Sequence, residues 1–265
     1  GIGRMNAISF HPSDSNVIFS GAPAGGLWRS YDGGQSWICT TDDFPTLGVS
    51  AIDFSASNPA FVYIGTGDRD ASDSPGMGVM KSIDGGESWV FVNDGISDYV
   101  VGDLLVHPED EQQVVAATSN GIFKTTDGGE SWNQVSNNTQ NYKDIVQHPS
   151  NPNIMYCTGS GRFWRSEDAG ESWDYINDGI QPSTRMVIAV TPAAPDNVYV
   201  LSTGTYEYRG FFKSDDSGLN FEEMSDSPNI MGWSAGGDGE GGQAWYDLCL
   251  EADPVVVDRI YAGGI

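Results

Sequence analysis

The chain has 265 residues, with 37 acidic side chains against 12 basic ones and a formal charge of −25. A surface of that sign repels nucleic-acid phosphates and anionic lipid headgroups, so neither is an expected partner. No apolar run approaches the ~20 residues of a membrane helix, and 34 glycines with 11% aromatic residues suit short strands joined by turns rather than disorder.

The first predicted strand, Ile8-Ser-Phe-His11, stops at Pro12, and a second begins at Val17. A third, Gly26-Leu-Trp-Arg-Ser30, runs into Ser30-Tyr-Asp-Gly-Gly-Gln-Ser-Trp37, after which a fourth strand is expected from the Ser-Trp pair. This order then recurs. Ser82-Ile-Asp-Gly-Gly-Glu-Ser-Trp89, Thr125-Thr-Asp-Gly-Gly-Glu-Ser-Trp132, Ser166-Glu-Asp-Ala-Gly-Glu-Ser-Trp173 and the degenerate Ser214-Asp-Asp-Ser-Gly-Leu-Asn-Phe221 share the pattern. The aspartates Asp32, Asp84, Asp127, Asp168 and Asp216 recur roughly every 40–50 residues, the length of one four-stranded propeller blade.

The expected fold is therefore all-β: a β-propeller of four-stranded antiparallel blades, A to D, about five and a half in this chain. The blades span 5–41, 48–93, 99–136, 142–177 and 185–225, with a partial sixth at 244–265. Because the sixth has only its first two strands, the chain is expected to be part of a longer one whose ring holds about six to eight blades.

Within each box, the Asp carboxylate is suited to accept hydrogen bonds from turn amides, and Gly-Gly supplies positive φ. Trp37, Trp89, Trp132 and Trp173 are placed to pack between neighbouring sheets. Five copies spread around a ring cannot converge on one substrate, so the box aspartates read as turn clasps. His11, His107 and His148 occupy the same A–B turn of different blades and read likewise as turn residues. Cys39, Cys157 and Cys249 show no CxxC spacing and sit among apolar residues, so buried free thiols are expected and no zinc site.

These boxes resemble those of the Asp-box (BNR repeat) propeller superfamily. It includes sialidases, sortilin-type receptors, xyloglucanase-like glycoside hydrolases and photosystem assembly propellers. Gly21-Ala-Pro-Ala-Gly-Gly26, Leu47-Gly-Val-Ser50 and Gly65-Thr-Gly-Asp-Arg-Asp70 are similar to propeller modules of large secreted bacterial surface proteins. Those are often type IX secretion substrates labelled glycosyl-hydrolase-like. The resemblance implies a secreted or cell-surface location and further domains of the same longer chain. It also carries departures: the sialidase Arg-Ile-Pro segment is missing, and Pro23 stands where the xyloglucanase-like enzymes place a catalytic Asp.

Strand alternation puts A–B turns and boxes on one face and the irregular B–C and D–A loops on the other, where binding residues concentrate. Asp68, Asp70, Asp238 and Glu240 are the candidate acid–base carboxylates if the protein is a hydrolase. Arg69, Tyr206, Tyr208, Arg209 and Trp233 are the candidate ligand contacts, and Asp68, Asp70 and Asp73 a weak calcium set with no other cofactor expected. Asn137-Asn-Thr139 fits an N-glycosylation sequon. The leading expectation is a non-catalytic scaffold, adhesin or ligand-binding platform facing an extracellular glycan or protein. A polysaccharide-active glycoside hydrolase and a peptide-binding receptor or assembly propeller are the alternatives.

Overall fold

The computed structural model describes residues 4–46, 48–71, 73–239, 241–246 and 248–264. Every regular element in them is a strand. The chain forms two compact units, Gly1–Lys143 and Asp144–Ile265. The first sheet contains β1 (Ala7–His11), β2 (Asp14–Ala22), β3 (Gly26–Ser30) and β4 (Ile38–Cys39). The second contains β5 (Val49–Phe54), β6 (Val62–Thr66), β7 (Val79–Ser82) and β8 (Val90–Phe91). The third contains β9 (Val101–His107), β10 (Asp110–Thr118), β11 (Gly121–Thr125) and β12 (Asn133–Gln134). The fourth contains β13 (Tyr142–Gln147), β14 (Met155–Gly159), β15 (Arg162–Ser166) and β16 (Asp174–Ile176). The fifth contains β17 (Arg185–Val190), β18 (Val198–Thr203), β19 (Tyr208–Ser214) and β20 (Glu222–Ser225), and a two-stranded sixth pairs β21 (Cys249–Ala252) with β22 (Ile260–Gly263).

Each four-stranded sheet is a meander in which neighbours in sequence are neighbours in space. Its second strand is buried on both sides: β6, β14 and β18 contain only buried residues. That explains their near-continuous apolar runs, which a strand with one wet face would not need. The fourth strand starts one residue past the Trp, not at the Ser-Trp pair, because the box bonds carry the chain that far before pairing resumes.

The box geometry repeats bond for bond. Ser30 Oγ donates to Asp32 and accepts the Gly34 amide at 2.8 Å, while Asp32 accepts the Ser36 amide at 2.9 Å and hydroxyl at 2.6 Å. Boxes two to four superimpose on this scheme, and in the fifth Asn220 replaces the serine. Those bonds favour the ionised carboxylate. The Ser36 and Ser88 hydroxyls hold Asp32 and Asp84 down to about 2, and Thr125 and Ser131 do the same for Asp127. The turn needs positive φ at both glycines (71° and 86° at Gly33 and Gly34). Ala169 and Ser217 take the first of these positions at φ 55° and 59°, at some backbone cost.

The same box residue also donates its amide to a carbonyl near the A–B turn of its own sheet: Gly33 to Asn16, Gly85 to Ala60, Gly128 to Gln112, Ala169 to Asn153 and Ser217 to Asp196, at 2.8–3.0 Å. Boxes and A–B turns thus share one end of each sheet. At that end one acceptor position recurs. The His11, His107 and His148 Nδ1 atoms accept the amide two residues on, as do Ser55 Oγ three residues on and Thr191 Oγ1 and Asp253 Oδ1 two residues on. The histidines are turn caps, interchangeable with any short acceptor.

Strand C carries a cation three residues before each box Asp, whose purpose the sequence did not reveal. Arg29 donates to Gly86 O (2.6 Å), Lys81 to Gly128 O (3.1 Å) and Arg165 to Ser217 O (2.6 Å). Each clasps the box of the next sheet. The box glycine there has no room for a side chain: a Cβ at Gly86 would lie 2.6 Å from the Phe19 ring. Trp132 also bridges sheets, donating Nε1 to Val92 O at 2.7 Å. Trp132 and Trp173 are buried, Trp89 is partly buried and Trp37 is 37% exposed. Of the cysteines, only Cys157 is buried; Cys39 is partly exposed and Cys249 exposed, because both sit on short peripheral pairings.

Candidate functional site

Two B–C loops carry most of the sequence-selected residues, and they differ. The loop after β6 folds inward within its unit. Asp68 is 3% exposed, forms an ion pair with Arg4 Nη2 at 2.5 Å, and accepts hydrogen bonds from Asn6 Nδ2 at 3.3 Å and from the Asp70 and Asp73 amides at 3.0 and 3.1 Å. Burial alone would raise its pKa, but these donors more than offset that and hold it at about 2. Arg69 donates to the carbonyls of Asn6, Gly102 and Lys143, tying together the starts of three A strands. Asp70 pairs with Arg69 Nε at 3.5 Å and Lys143 Nζ at 3.3 Å. Asp73 is exposed. Among the described residues, no three His, Cys, Asp or Glu side chains are grouped to hold a metal.

The loop after β18 opens outward. Gly204 donates its amide to Glu207 O (2.8 Å), a tight turn that projects Tyr206, 55% exposed, and Arg209. Arg209 Nη2 pairs with Glu207 Oε1 at 2.5 Å. Tyr208, read as a ligand contact, is instead buried: its ring packs with Val187, Leu201 and Met231 and its hydroxyl donates to Ser225 O. Alternation along β19 turns it to the core while its neighbour Arg209 faces out.

The segment from β20 to β21 lies against this loop. Asn229 Oδ1 accepts the Tyr208 amide at 2.9 Å, and a Cβ at Gly242 would lie 2.5 Å from Tyr206 O. Trp233 stands 59% exposed. Asp238 is exposed and accepts the Ser234 hydroxyl at 2.5 Å. Glu240 lies outside the described residues.

Beside the loop is a cavity of about 470 Å³, bounded by residues 181–184 of the preceding D–A connection, by Ser202, Gly204 and Thr205, by the Glu207–Arg209 pair, and by Phe212. Its size falls within the ~300–1,000 Å³ of small-ligand sites. It joins B–C and D–A connections, on the face opposite the boxes. Of the sequence-selected residues only Arg209 lines it. Glu207, Ser202 and 181–184 were missed. The one available signal was the polar Ser202 ending the apolar run Val-Tyr-Val-Leu of β18.

No family model matches the sequence, and no curated protein matches it. Solved structures do. The chain is similar to an ancestral GH74 enzyme (TM-score 0.71, 19% identity), covering 99% of this chain and 35% of that one. It is similar to the GH74 xyloglucanase from Xanthomonas campestris (0.67, 17%), covering 96% and 41%, and to YCF48 bound to D1 peptide (0.55, 13%), covering 91% of each. The chain thus spans well under half the length of the two GH74 proteins. Together with sheets that are all antiparallel meanders, these likenesses assign the fold: the chain is built of β-propeller blades.

Proposed function

We propose that this chain is a non-catalytic propeller module of a secreted or cell-surface protein, and that it holds an extracellular glycan or protein on the loop face of its fifth blade. The observation that carries this reading is the contrast between the two B–C loops. A glycosidase needs one carboxyl able to give a proton near neutral pH and a second one opposite it. Asp68, buried and held at about 2 by Arg4, Asn6 and two backbone amides, is suited to neither giving nor taking a proton. Asp70 is engaged by Arg69 and Lys143. Pro23, where the xyloglucanase-like resemblance would put a carboxylate, has no titratable group.

The fifth blade supports binding instead: a cavity, an exposed cation and exposed aromatic rings sit on connections that a rigid sheet presents. Solved proteins of this fold include both a xyloglucanase and a peptide-bound propeller, so the fold suits either kind of ligand. The test is to incubate the chain with insoluble and soluble polysaccharides and with immobilised peptides. The expected result is retention without release of reducing ends. Release of reducing ends that disappears in Asp70→Asn would replace this reading with the hydrolase.

A further inference from the structure

Resting on that reading of the fifth blade, we propose that its cavity takes a short stretch of neutral polysaccharide, with the Ser202 hydroxyl as the anchoring group at its base. Strand register provides an internal control. Ser202 pairs with Gly210 as Thr118 pairs with Gly121, and Thr66 stands opposite Gly78 in the same way. In the second and third blades this hydroxyl closes its own B–C loop. Thr66 Oγ1 donates to Gly78 O (2.8 Å) and accepts the Met77 amide (2.8 Å), and Thr118 Oγ1 donates to Gly121 O (2.8 Å) and accepts the Asn120 amide (3.1 Å). Ser202 is 2% exposed, yet its hydroxyl has no hydrogen-bond partner among the described residues and lies in the cavity wall. The Oγ atom is not among the fully enclosed polar atoms that lack a partner, so it opens onto the cavity and is available to whatever enters it. A ligand hydroxyl at the cavity base can bond to it without displacing any internal hydrogen bond.

The remaining lining selects the ligand class. The Gln181 amide and the Thr184 and Thr205 hydroxyls offer donors and acceptors together. The one cation, Arg209, is matched by Glu207, so the pair presents both hydrogen-bond polarities with no net charge. A sugar's adjacent hydroxyls, each both donor and acceptor, fit such a wall. An acidic polysaccharide meets a molecule of formal charge −25 with no unmatched cation at the cavity. A peptide would need an apolar socket or a free strand edge. Only Phe212 and Pro182 are apolar here, and β19 is paired on both sides.

The test titrates the full 265-residue chain, by calorimetry and by ligand-observed NMR, with neutral tetrasaccharides of cellulose, xylan and mannan, with tetragalacturonate, and with a mixed peptide pool. At least one neutral tetrasaccharide is expected to bind and tetragalacturonate not to. Ser202→Val and, on the exposed rim, Arg209→Ala are each expected to weaken that binding about tenfold or more while the melting temperature holds. Arg209→Ala keeps the test open if Ser202→Val fails to fold. Peptide binding lost in Arg209→Ala, with no sugar bound, would overturn the glycan class and leave the binding face standing. Sugar binding unchanged by both variants would overturn the cavity, and no binding of any probe would remove the functional reading beneath it.

Discussion

The second and fifth blades present B–C loops that look alike in sequence, each mixing carboxylates, an arginine and turn formers. One is sewn into the body of its unit and the other is held out from it. The difference lies in partners supplied from far along the chain. Asp68 finds Arg4 and Asn6, and Arg69 finds three carbonyls at the starts of A strands. Among the described residues Arg209 pairs with its near neighbour Glu207, and Tyr206 stays 55% exposed. A charged loop residue is a ligand contact only when the fold leaves it unspent.

The largest effect that would break this contrast comes from Asp68→Ala. It removes the carboxylate paired with the largely buried Arg4 and leaves the Asp70 and Asp73 amides without their acceptor, and should cost about 3–5 kcal/mol in urea unfolding. Loss below 1 kcal/mol would mean that the loop is not internal. Acid should act on the same group. With native pKa values of about 2 for Asp68, Asp32, Asp84 and Asp127, against 3.8 when unfolded, their stabilisation is complete above about pH 4 and drains away as pH falls through 2. Melting curves between pH 5 and 2 read this directly.

A smaller effect sharpens the comparison residue for residue. Thr66→Val should cost about 1–3 kcal/mol, since it leaves Gly78 O and the Met77 amide without their partner. Ser202→Ala at the matching position removes no internal bond and should stay within about 0.5 kcal/mol of the parent. Asp53 should show the opposite pH sign to the boxes. Burial lifts it to about 7 despite the Val106 and Phe54 amides, so its contribution is whole below pH 4 and is lost as pH rises through 7. Asp53→Asn should therefore raise the melting temperature at pH 8 by a few degrees and leave it unchanged at pH 4. Smallest of all, Arg209→Ala should leave stability within about 0.5 kcal/mol, because its ion pair is solvent-exposed.

Most of the architecture was legible because its signals are local. A box is eight consecutive residues whose bonds close among themselves, and the A–B caps bridge two or three positions. The strand-C cation was equally regular in the sequence, but the acceptors of Arg29, Lys81 and Arg165 sit on another sheet and no local pattern names them. The candidate site was less legible for the same reason. Whether Asp68 is free depends on Arg4, and whether Ser202 is free depends on the absence of the loop closure that Thr66 makes. Tyr208 was misread because loop composition was extended one residue into β19, where alternation turns the ring inward.

The central claim is that the ligand is held by the fifth blade and not by the carboxylate loop of the second. Hydrogen exchange of the full chain, with and without saturating neutral oligosaccharide, tests it most directly. Slowed exchange at residues 181–184 and 204–209, with 66–73 unchanged, is the predicted result. Slowing confined to 66–73 would contradict it.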